Sequence, residues 1–162
     1  MTEGIPVVRM YTDNSGHTRF AKMQIPVESK TGLGSVGLFS SLFLNQNIHD
    51  NTGDLKTQFA LTPVPDNLKG EGPKLAHTAP RRQLVLTLSG CLEFKSCDVD
   101  EDDAEHEVTI RRGDILLAED LEGAGHVWKF VESSDGNFYP WIRCYIHLGE
   151  EYDHFVSQLI PI

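Results

Sequence analysis

The chain has 162 residues, 24 of them acidic and 14 basic, for a formal net charge of -10. That length suits one domain with one core, and that charge argues against nucleic acid or an anionic membrane as partner, whose phosphates it would repel. No apolar run approaches the roughly 20 residues that span a bilayer. The N-terminus lacks the basic-then-apolar character of a signal peptide, and Cys91, Cys97 and Cys144 form no C-x-x-C spacing, so a reducing, cytoplasmic setting is expected.

Apolar residues recur with period two or in short continuous runs, and Gly and Pro interrupt any longer helix. The expected class is all-β, with strands at residues 7–11, 19–25, 37–44, 58–62, 81–88, 92–95, 107–110, 114–118, 127–131 and 141–148. Short strands at such spacing read as a sandwich or barrel. His17 falls in the turn after the first strand. Pro63, Pro65, Gly70, Gly72 and Pro73 mark a loop over 62–74, and the like charges of 98–107 mark a solvated hairpin tip. Residues 152–159 read as a short helix or docking tail, while His49, His106 and His154 read as loop or tail residues.

Two segments stand out. The first is His77-Thr78-Ala79-Pro80-Arg81-Arg82-Gln83 running through a β-rich stretch to Gly90; the second runs from Gly113 through Leu116-Leu117-Ala118-Glu119-Asp120 to Gly123-Ala124-Gly125-His126. Together they resemble the two motifs of the cupin superfamily. The first cupin motif has the form H-x-H-x(3,4)-E-x(6)-G. Counting back from Gly90 puts Gln83 at its glutamate, Ala79 at its second histidine and His77 at its first. Gly113 and, after a longer turn, His126 match the second motif, with Glu119 in place of its proline and Phe130 in place of its asparagine. The resemblance implies a single cupin domain over 1–162, a double-stranded β-helix or jelly-roll barrel, with motif one at about 77–90 and motif two at about 113–130.

Strand alternation adds to this. If Gln83 faces inward, so do Val85 and Thr87, while Leu84, Leu86 and Leu88 form an apolar outer face that needs a second sheet or a partner subunit, so a homodimer is expected. Arg81 falls on the Gln83 side and Arg82 points outward. On the last long strand, Trp141, Arg143, Tyr145 and His147 share one face, and Ile142, Cys144, Ile146 and Leu148 the other. Ordinarily the apolar set faces the core and the polar set faces solvent; a polar cavity reverses that.

The chemistry stays open between three readings. In the first, His77 and His126 act as acid and base on a small organic molecule, such as a carboxylate, in isomerase or lyase chemistry. Arg81 and Gln83 then orient the substrate, and Trp128, Arg143, Tyr145 and His147 complete its site. In the second, His77, Gln83 and His126 bind a divalent transition metal (iron, nickel, zinc or manganese) with help from Glu119 or Asp120, as in an oxygenase. In the third, the domain binds a ligand without turnover. P-loop, dinucleotide, nucleophile-elbow and paired-cysteine zinc signatures are missing.

Overall fold

A computed structural model describes residues 4–30, 34–37, 57–66, 75–97, 105–149 and 152–162. In chain order the elements are β1 (Gly4–Thr12), β2 (Thr18–Lys30), β3 (Gly34–Gly37), β4 (Thr57–Thr62), β5 (Gln83–Ser89), β6 (Cys91–Ser96), β7 (Glu107–Arg111), β8 (Ile115–Glu119), β9 (His126–Phe130), β10 (Trp141–His147), α1 (Tyr152–Ser157) and β11 (Ile160–Pro161). The described chain is thus mostly β with one short helix. Nine of the expected strands coincide with observed ones, and the tenth, at 37–44, lies outside the described residues beyond Gly37. The loop expected at 62–74 is described only to Asp66, and the acidic tip only from Glu105 onward.

The strands form two sheets. The larger has the order β11-β2-β1-β8-β5-β10-β4, with β3 paired to β2, and the smaller has the order β7-β6-β9. Among the described residues no ladder closes these into a barrel. An isolated bridge ties His77, ahead of β5, to His126 of β9, and Phe20 N–H of β2 bonds Glu105 O, just ahead of β7.

Period-two alternation gives the large sheet two buried faces. Met10, Val85, Leu116, Ala118 and Trp141 face Leu92, Phe94, Ile110 and Phe130 of the small sheet in one apolar cluster. Val7, Ile25, Leu84, Leu117, Cys144 and Ile146 form a second cluster with Phe155 and Leu159. Tyr152, Phe155, Val156 and Leu159 recur at helical spacing, which is why this tail turns one short helix onto the sheet. The outer face of β5, the ground for expecting a partner subunit, is therefore packed at Leu84 against the chain's own C-terminal segment. It opens to solvent only toward Leu88, which is 45% exposed.

β10 resolves the ambiguity of its two faces. Cys144, Ile146 and Leu148 do not face the space between the sheets; they belong to the outer cluster. Trp141 and Tyr145 join the inner one. The expectation that the polar set lies in solvent fails because the sheet is covered on both sides. A bulge helps aim it: the register shifts between Ile142, opposite Ser89, and Arg143, opposite Thr87, leaving Leu88 without a partner in β10.

Candidate functional site

Between the sheets lies a cavity of about 490 Å³, within the range of small-molecule sites. Its floor is read directly from the strand register. One row across the large sheet runs Met10, Ala118, Gln83, His147; the next runs Leu116, Val85, Tyr145, Gln58. Phe94 and Trp128, paired across β6 and β9, form the opposite wall. His77, Ala79, Pro80 and Arg81 close one side. The cavity is apolar at its β1–β8 end and polar at its β10 end.

Arg143 dominates the polar end. Its Nε donates to the Tyr145 hydroxyl at 2.5 Å and its Nη1 to the Thr62 hydroxyl at 2.8 Å, and its guanidinium carbon sits 3.8 Å from the centre of the Trp141 ring. The head is held in place by neutral groups, and no carboxylate pairs with it among the described residues. A guanidinium so fixed keeps its charge and part of its fork available. Arg81 Nη1 lies 3.5 Å from His147 Nδ1, a second cationic group on the same cavity. Two buried donors nearby, the Trp141 indole N–H and the Thr87 hydroxyl, have no hydrogen-bond partner among the described residues.

His126 is only 4% exposed, and its Nδ1 lies 2.6 Å from Asp120 Oδ2. Asp120 is completely buried. It also accepts from the Thr18 hydroxyl at 3.0 Å and from the Ala79 N–H at 3.3 Å. A carboxylate so surrounded by donors holds the proton on Nδ1 and leaves Nε2 as the acceptor. Nε2 has no hydrogen-bond partner among the described residues, and His126 lines the cavity. The His77 ring lies 4.5 Å from the His126 ring, with His77 Nδ1 3.2 Å from Leu75 O. The two segments are stitched by reciprocal backbone bonds, His77 N–H to His126 O at 3.0 Å and His126 N–H to His77 O at 2.9 Å. Gly125 permits this approach: it sits at φ 74°, and a Cβ there would stand 2.5 Å from His77 O.

His77, Arg81, Gln83, His126, Trp128, Arg143, Tyr145 and His147 all line this one cavity. Glu119 does not. It alternates to the outer face, where Oε1 takes a 2.7 Å bond from Arg9 Nε and Oε2 is bonded by the Tyr152 hydroxyl. Its carboxylate is consumed there, so a triad of two histidines and Glu119 is not assembled. Among the described residues no three His, Cys, Asp or Glu side chains cluster as a metal ion requires. Two imidazoles and the neutral Gln83 amide are a poor donor set for a divalent first-row metal, so no step below is routed through one. Arg82 is exposed and stacks on Tyr152 at 4.3 Å, whereas His106, expected in a loop, is buried.

Sequence reasoning placed Asp120 only as a carboxylate that bends in from the turn. Its role as the partner of His126 was signalled by alternation, since Leu116, Ala118 and Asp120 fall on one side of β8 and Glu119 on the other. Gln58 and Phe94, also cavity residues, carried no signal beyond their strands.

These features define a two-sheet β protein with an internal, partly cationic cavity and a histidine polarised by a buried aspartate. No protein-family model matches the chain, and no curated protein or solved structure matches it either.

Proposed function

We propose that this chain is a cupin-type domain whose cavity takes a small carboxylate and moves a proton on it, as an isomerase or lyase does. The observation that carries the reading is the Asp120–His126 pair at 2.6 Å on the wall of a cavity that also holds Arg143. Arg143 grips the carboxylate. His126 Nε2 takes a proton from the adjacent carbon, and the electron pair left by the broken C–H bond delocalises toward the carboxylate, where the guanidinium stabilises it. Asp120 steadies the imidazolium that forms. Return of a proton, from His126 or from its neighbour His77, to the opposite face of that carbon or to another carbon of a conjugated substrate gives the isomer; loss of a β-substituent with the electron pair gives the lyase outcome instead. Gln83, Arg81 and His147 orient the rest of the molecule, and Trp128 and Phe94 cover its apolar part.

The test is hydrogen–deuterium exchange at the carbon next to the carboxylate, followed by NMR over a panel of small acids with chelator-treated protein. Exchange is expected with at least one acid, lost in His126→Gln and weakened about tenfold or more in affinity by Arg143→Gln, the worth of a charge-assisted hydrogen bond. Binding that depends on Arg143 with no exchange in any acid would make the domain a non-catalytic binder. Exchange that vanishes on chelation and returns with metal would replace this scheme by a metal-dependent one.

A further inference from the structure

A second concavity, of about 520 Å³, lies among three chain turns and shares no lining residue with the first. The β5–β6 turn contributes Ser89, Gly90 and Cys91, the β7–β8 turn Arg111 and Arg112, and the β9–β10 connection Ser133, Ser134, Asp135 and Tyr139. We infer that this groove is a binding site for a phosphate group, held by the guanidiniums of Arg111 and Arg112 and the hydroxyls of Ser133 and Ser134.

The argument starts from charge. In a chain of net charge -10, two consecutive arginines line one groove, and neither guanidinium has an ion pair or hydrogen bond among the described residues. Both cationic heads are thus available to an anionic ligand. Asp114 Oδ2 accepts from the Arg111 backbone N–H at 2.7 Å. Asp135 is turned into its own loop, accepting from the Asn137 N–H at 3.1 Å and the Tyr139 hydroxyl at 2.5 Å. Those bonds hold its carboxyl below the usual range, the Tyr139 bond most of all. Both acids bond within their own turns, and of the two only Asp135 lines the groove, so its single negative charge faces the two guanidinium charges of Arg111 and Arg112.

The frame is rigid. Asp114 N–H bonds Arg111 O, and Gly113 N–H and Thr87 O tie that turn to β5. Ser133 and Asn137 close the other turn, Ser133 N–H to Asn137 O at 2.9 Å and Gly136 N–H to Ser133 O at 2.9 Å. Gly90, at φ 98°, lies so close to the β9–β10 segment that a Cβ would stand 3.1 Å from Trp141 Cα. Two guanidinium forks and two hydroxyls carried on such turns suit the several acceptor oxygens of a phosphate better than the two of a carboxylate. The groove exceeds a bare phosphate in volume, so it has space for an organic group attached to it.

The experiment is amide and arginine Nε–Hε NMR of the full chain at constant ionic strength, titrated with inorganic phosphate, phenyl phosphate and acetate. Saturable shifts of the Ser133, Ser134 and Gly136 amides are expected with phosphate or its ester and not with acetate. Arg111→Gln and Arg112→Gln should each weaken the affinity about tenfold or more, with circular dichroism unchanged because both side chains are exposed. Tighter binding of the ester marks a phosphorylated small molecule as the ligand; tighter binding of phosphate marks the free ion. No saturable shift with either phosphate, equal response to acetate, or undiminished affinity in both variants would overturn the inference.

Discussion

Glu119 and Asp120 are neighbours in the chain and opposites in the fold. Glu119 leaves β8 on the outer face and meets Arg9 and Tyr152, each of its oxygens closed by a partner. Asp120 leaves on the inner face and meets Thr18, Ala79 and His126, passing its influence to a ring whose other nitrogen has no hydrogen-bond partner among the described residues. The outer network ends on itself and fastens the C-terminal helix. The inner one ends at the cavity. Buried polar groups whose partners are all protein stabilise a fold, whereas a chain of them that ends at an open atom prepares that atom for a ligand.

This contrast can be broken by substitution. The largest loss of stability is expected from Leu84→Ala, which empties a fully buried position of the outer cluster. About 3 kcal/mol should disappear in denaturant unfolding, with the exchange activity proposed for the inner site kept in the folded fraction. Asp120→Asn comes next, costing about 2 kcal/mol because a buried acceptor of three bonds becomes half a donor. Unlike Leu84→Ala, it should move the His126 proton from Nδ1 to Nε2, visible in imidazole ¹⁵N shifts, and abolish exchange. If both variants reduce exchange equally per folded molecule, the two faces are not functionally distinct.

Tyr152→Phe should cost about 1 kcal/mol through the lost bond to Glu119 and leave carboxylate affinity unchanged. A drop in affinity would show that the outer network reaches the site. Burial and the Glu119 bond push the Tyr152 hydroxyl above its ordinary pKa, so this bond should persist well into alkaline solution.

The smallest effect concerns Asp13, in the first hairpin turn, whose carboxyl is pushed down to about 2, chiefly by the bond from Arg19 at 2.8 Å and further by the His17 N–H. Its folded pKa lies below its unfolded one, so its stabilisation is complete above the unfolded value near 4 and fades as pH falls toward 2. The stability difference between the native chain and Asp13→Asn should therefore shrink over that acid window, as measured by urea midpoints at each pH. A constant difference would remove the ion pair from the account.

Much of the secondary structure was legible because strands announce themselves by period two. β5 and β10 were located within two residues at each end, and residues 152–159, read as a short helix or a docking tail, hold the one helix described. The short β3 and β11 were missed; four and two residues carry too little periodicity. Alternation also put Gln83 and Val85 on one face and Leu84 on the other. It could not say which face of β10 looked into a cavity, because both sets of side chains are covered and only a neighbouring sheet distinguishes them.

The order of residues along the chain thus determined the strand class, the alternating faces and the two histidine-bearing segments. Only the tertiary structure decided that β1 pairs with β8 in parallel, that Thr18 and Ala79 converge on Asp120, and that Arg143 sits among neutral partners. The physical reason is separation. Thr18 and Asp120 are 102 positions apart, and no local propensity encodes a contact that forms only when β2 and β8 flank β1 in one sheet.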